Sequence, residues 1–116
     1  MREAKVMEQE DYVRSRWQET ILGGLYLYES TRSYHLRLGP WEHKGNVKDK
    51  DTVWQAAYAF TLERERQIKD VEEEHELIFQ KREAASHKPA HQAIYARILA
   101  RLQSTSADLR KGMRDE

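Results

Sequence analysis

Apolar and polar residues alternate with period two through Leu25-Tyr26-Leu27-Tyr28-Glu29 and again through Ser33-Tyr34-His35-Leu36-Arg37-Leu38. That period marks two β-strands, because successive side chains of a strand point to opposite faces. Folding residues 25–38 as a hairpin around Ser30-Thr31-Arg32-Ser33 sets Leu27 opposite Leu36 and Leu25 opposite Leu38. The same register gathers Tyr26 with Arg37 and Tyr28 with His35 on the other face. A slip of one residue would scramble both faces at once, so the pattern specifies its own pairing. The aliphatic face needs a cover. The aromatic and basic face is either covered by a helix or free to act as a surface.

Helical periodicity flanks the hairpin. Over residues 3–22, Val6, Val13, Trp17 and Ile21 share one helical face, Glu10 and Arg14 form an i,i+4 pair, and Gly23-Gly24 supplies a stop. A strand over 12–21 is the rival reading, since Val13, Ser15, Trp17 and Ile21 also share a strand face. Pro40 cannot donate to a ladder, so the second strand is expected to end there, followed by a loop through Gly45-Asn46 and the charged run 48–51. Thr52-Val53-Trp54-Gln55 matches a helix capping box. A long helix is predicted over 52–83, with Val53, Ala57, Phe60, Ile68, Val71 and Ile78 as its apolar seam. A helix of that length reaches about 45 Å and exceeds a compact domain of this size, so it must project, bend or pack on a second copy. Residues 84–89 form a turn, 90–103 a last helix striped by Ile94, Ile98 and Leu102, and 104–116 a frayed polar tail. The fold class is thus α+β and mostly helical, in a single small domain whose long and last helices form an antiparallel pair.

Charge refines this picture by segment. The chain of 116 residues carries 20 basic and 20 acidic side chains, so no net charge draws it to nucleic acid or membrane. Residues 51–83 hold nine acids and five bases, and residues 84–116 hold six bases and three acids. An antiparallel pairing of these segments would set Glu72 beside Arg101 and Glu76 beside Arg97. Residues 31–50 hold five bases and two acids, which concentrates positive charge in and after the hairpin. There is no cysteine, which excludes disulfides, thiol catalysis and thiolate-bound metals and suits a reducing cytoplasm. No apolar run is long enough to span a bilayer, and the charged N-terminus does not read as a signal core.

Candidate chemistry is sparse. Tyr26, Tyr28, His35, Arg37 and Arg32 form an interaction surface of the kind that meets protein partners or nucleic acid. Trp41, after Gly39-Pro40, is expected to fold back over the aliphatic face of the hairpin. His87 and His91 have an i,i+4 spacing but are separated by Pro89. Glu72 and His75 give a single Glu-x-x-His, where helical metal sites need several. No serine lies in a nucleophile elbow and no glycine-rich phosphate loop is present, so no cofactor is expected and catalysis is disfavoured. The leading expectation is a small cytoplasmic, non-catalytic interaction or regulatory protein acting as a homodimer through Phe60, Ile68, Val71 and Ile78. The alternatives are a nucleic-acid-binding accessory protein that uses the basic aromatic face with Lys44 and Lys48, and a metal-dependent enzyme built at a dimer interface.

Overall fold

The computed structural model describes residues 3–20 and 22–114. Helix α1 (Ala4–Arg16) is followed by strands β1 (Leu25–Glu29), β2 (Ser33–Leu38) and β3 (Trp41–Asn46), a short 3-10 turn (Val47–Asp49), helix α2 (Lys50–Ala84) and helix α3 (Pro89–Arg110). The fold is α+β and mostly helical. Two compact units form: one from the described residues up to 63 with those after 110, the other from residues 64–110. Helix α2 contributes to both, which accounts for a length that one small domain could not use.

The predicted register holds at every pair. Leu25 faces Leu38, Tyr26 faces Arg37, Leu27 faces Leu36 and Tyr28 faces His35. The expected hairpin, however, is a three-stranded antiparallel sheet in the order β1-β2-β3. Trp41–Asn46, where no strand is expected and Gly45-Asn46 reads as loop, pairs along all of β2, with Leu38 opposite Trp41 and Leu36 opposite His43. Pro40 does end β2, but it does so within a two-residue link. Gly39 supplies the positive φ of +54° that this link requires, and the missing N–H of Pro40 lies where no ladder bond is needed.

Three further boundaries differ from expectation. Helix α1 stops at Arg16, because the next residues are committed to extended pairing. The backbone N–H of Leu25 donates to the Gln18 carbonyl at 2.7 Å, and Trp17 forms an antiparallel bridge with Met113. The rival strand reading was therefore right for a few residues; Ile21 lies outside the described residues. Helix α2 begins at Lys50 after the 3-10 turn, and the Asn46 side chain caps that turn by accepting from the Lys48 N–H at 2.9 Å. The capping box at Thr52 is therefore not the helix start. Helix α3 runs on to Arg110 through Ser104-Thr105-Ser106, where Thr105 Oγ1 donates to the Arg101 carbonyl at 3.0 Å. The predicted frayed tail is docked at 112–114. Gln18 N–H donates to the Gly112 carbonyl at 2.9 Å and Arg114 N–H to the Arg16 carbonyl at 2.8 Å.

The core of the first unit joins Val6, Val13 and Trp17 to Leu25, Tyr34, Leu36 and Leu38 of the sheet, and to Val53, Trp54 and Ala57 of α2. The indole nitrogens of its two buried tryptophans are paired. Trp17 Nε1 donates to Thr61 Oγ1 at 3.0 Å, and that hydroxyl donates to the Ala57 carbonyl at 2.8 Å. Trp54 Nε1 donates to the Tyr34 hydroxyl at 2.7 Å. As its sequence context suggested, Trp41 closes this core. It stacks on Phe60 with ring centroids 6.0 Å apart, and Phe60 stacks in turn on Trp17.

Burial pushes the Tyr34 hydroxyl above its ordinary pKa, although the Trp54 hydrogen bond opposes the shift. A folded pKa raised above the unfolded value contributes stability that is complete below about pH 10 and is lost as pH rises through the folded value. Alkaline titration should therefore show Tyr34 ionising late, together with loss of structure. Absorbance at 295 nm and circular dichroism would follow the two events. Tyr34→Phe should remove this alkaline component; an unchanged alkaline transition in that variant would refute the assignment.

In the second unit, α3 runs antiparallel to the later part of α2. Arg82 and Gln92 hold the turn end, where Arg82 Nε donates to Gln92 Oε1 at 3.2 Å. Ile68 and Leu99 are buried. Glu72 pairs with Arg110 instead of the expected Arg101, and Glu76 accepts from Gln80 instead of meeting Arg97. Because α3 extends past residue 103, a cation from its last turn is available to Glu72.

Candidate functional site

The outer face of the sheet, opposite the core, is built by alternation. Strand β1 supplies Tyr26 and Tyr28, β2 supplies His35 and Arg37, and β3 supplies Glu42 and Lys44. This face is open to solvent. Tyr28 is 53% exposed, and Tyr26, His35 and Arg37 are half-buried. The structure thus brings four of the five predicted surface residues together. Arg32, the fifth, is exposed in the β1–β2 turn, which Ser30 Oγ shapes by accepting the Ser33 N–H at 3.0 Å. The Val47 N–H donates to the Arg32 carbonyl at 2.9 Å, which brings the segment carrying Lys48 to the same end of the sheet.

These side chains are ordered by one another. The Arg37 guanidinium lies 5.2 Å from the centroid of the Tyr26 ring, and the His35 ring meets Tyr26 edge-on at 5.6 Å. His35 Nε2 lies 3.3 Å from Glu42 Oε2, an ion pair when the imidazole is protonated, and Lys44 Nζ lies 3.7 Å from Glu42 Oε1. His35 chiefly, with Lys44 and Arg37, holds the Glu42 carboxyl below the usual range. The face therefore carries one fixed acceptor among several donors. Sequence reasoning missed Glu42 and assigned Lys44 to no strand. The signal was present, since Glu42, Lys44 and Asn46 alternate with Trp41, His43 and Gly45 after a turn-forming Gly-Pro.

The other candidates fare differently. Phe60, expected on a dimer seam, packs within its own unit between Trp17 and Trp41. Ile68 is buried, and Val71 and Ile78 are half-buried. The apolar side chains exposed on the second unit are Leu77, Phe79 and Ile94. Glu72 and His75 line a shallow groove of about 390 Å³ with Val71, Leu102, Ser106 and Arg110, and Glu72 is engaged by Arg110. His87 lies in the turn and His91 in α3, so the two do not share a helix. Among the described residues, no group of three His, Cys, Asp or Glu side chains could hold a metal ion, and no helix is long and apolar enough to cross a membrane.

Comparison with protein-family models, curated proteins and solved structures finds no match to this chain. The outer face of the sheet is the candidate that its geometry alone supports.

Proposed function

We propose that this protein is a small cytoplasmic, non-catalytic interaction protein whose contact surface is the outer face of its sheet. The observation that carries the reading is the open, ordered cluster of Tyr26, Tyr28, His35 and Arg37, with Tyr28 53% exposed. Tyrosine and arginine together are the composition that contact surfaces favour, because each adds large contact area and a directed donor. The protein immobilised on a support should retain, from an extract of its native host, a partner that the Tyr28→Ala/Arg37→Ala double variant releases. Equal retention by both would overturn the reading.

A homodimer is the second reading. It is favoured by Leu77, Phe79 and Ile94, which are exposed on the second unit. Sedimentation equilibrium at tens of micromolar should then show a dimer that Leu77→Asp converts to monomer. A monomer throughout would end that reading without touching the first.

A further inference from the structure

We infer that the outer face of the sheet docks in the major groove of duplex DNA; this rests on the reading of that face as the contact surface. Three observations point there. The first is shape. Strands of a sheet lie about 4.8 Å apart, so β2 and β3 together make a two-stranded ribbon of the size that the major groove, about 12 Å wide, admits. The right-handed twist of an antiparallel sheet also lets its face follow a groove.

The second observation is the placement of charge. Residues 31–50 hold five bases and two acids in a chain of zero net charge. Arg32 in the turn and Lys48 after β3 lie at one end of the sheet, where they can meet phosphates. Arg37 on β2 faces Glu42 on the edge strand β3, and Lys44 follows on β3, so the three share the β2–β3 ribbon that base edges would meet. Glu42 is the informative residue. An ionised carboxylate repels phosphate but accepts from the exocyclic amine of cytosine, while Arg37 is suited to guanine.

The third observation separates duplex from single strand. Single-strand platforms stack successive bases on several open rings. Here the Tyr26 ring already carries the Arg37 guanidinium at 5.2 Å and the His35 edge at 5.6 Å. Tyr28 is the ring on this face that stands 53% exposed. A-form RNA is disfavoured as well, since its major groove is too deep and narrow to admit a sheet.

The test is fluorescence anisotropy with labelled 20-base-pair random-sequence DNA, the matching single strand and a matching RNA duplex. The two phosphate contacts of Arg32 and Lys48 predict a log–log salt slope of about −1.8, so raising salt from about 50 to about 200 mM should weaken duplex binding about 12-fold. Arg32→Ala should reduce that slope by about 0.9. Arg37→Ala/Lys44→Ala should weaken binding at least tenfold while its melting temperature stays near that of the parent, and Arg97→Ala/Arg101→Ala on α3 should change nothing. Absence of duplex binding at 20 mM salt overturns the inference, as does equal or tighter binding of the single strand or the RNA. So does loss of binding in the α3 variant alone. If the duplex fails but the extract assay still yields a protein released by Tyr28→Ala/Arg37→Ala, the broader reading stands and this one falls.

Discussion

Trp54→Ala should lower stability by about 3–5 kcal/mol, the range for truncating a buried Trp, which on a domain at the low end of ordinary stability, about 5 kcal/mol, removes most or all of the margin at 25 °C. Trp54 is fully buried where α2 meets the sheet, and the Arg14 guanidinium lies 5.0 Å from the centroid of its ring. Truncation leaves a cavity and removes the donor that satisfies the Tyr34 hydroxyl at 2.7 Å. Trp54→Phe separates the two effects. It keeps most of the ring volume and loses the hydrogen bond, so about 1–3 kcal/mol should be lost. Urea titrations followed by circular dichroism measure both. A loss below about 1 kcal/mol for Trp54→Ala would mean that the sheet is not anchored through this contact. The consequence reaches the outer face. Tyr34 and His35 are neighbours on β2 pointing to opposite sides, so a sheet freed from α2 loses the geometry that aligns His35, Arg37 and Glu42.

The hairpin was legible because each of its strands obeys one rule throughout. Leu25, Leu27, Leu36 and Leu38 can share a face in a single register, and that register is the one observed. Trp41–Asn46 was not legible as a strand because Glu42, Lys44, Gly45 and Asn46 are poor strand formers, and Pro40 reads as a stop. An edge strand tolerates such residues, and charges there discourage pairing with another sheet. The docked C-terminal segment was hidden for another reason. Its pairing with residues 16–18 is between backbones far apart in sequence, which no local pattern announces. The seam of α2 shows a third limit. Periodicity says that Phe60 needs cover, but it does not distinguish a second chain from Trp17 and Trp41 of the same one. The register of β1 and β2 sets Tyr26, Tyr28, His35 and Arg37 on one face as read, and the acid beside them came with the strand that was missed.

Gly112→Ala should undock the C-terminal segment. Gly112 has a φ of +84°, which an L-residue adopts at a cost of about 1 kcal/mol. The larger obstacle is contact. A Cβ there would lie 1.8 Å from the Gly23 carbonyl oxygen and 3.0 Å from the Gly24 Cα, and backbone atoms cannot swing aside as a side chain can. The bonds at stake are Gln18 N–H to the Gly112 carbonyl, Arg114 N–H to the Arg16 carbonyl, and the Gln18 side chain to the Met113 carbonyl. At about 1 kcal/mol each they amount to roughly 3 kcal/mol, to which the lost packing of Met113 adds. Hydrogen exchange should show the Gln18 and Arg114 amides losing protection together, with residues 111–114 becoming sensitive to protease. Gly23→Ala is the control. It has the same φ of +84°, but its Cβ meets nothing within 4 Å, so only the backbone cost of about 1 kcal/mol should appear. A chain ending at Arg110 sets the ceiling, since undocking cannot cost more than removal of the segment. Should Gly112→Ala and Gly23→Ala lose the same stability, with Gln18 still protected, the close approach of the C-terminal segment to Gly23 would not be part of the fold.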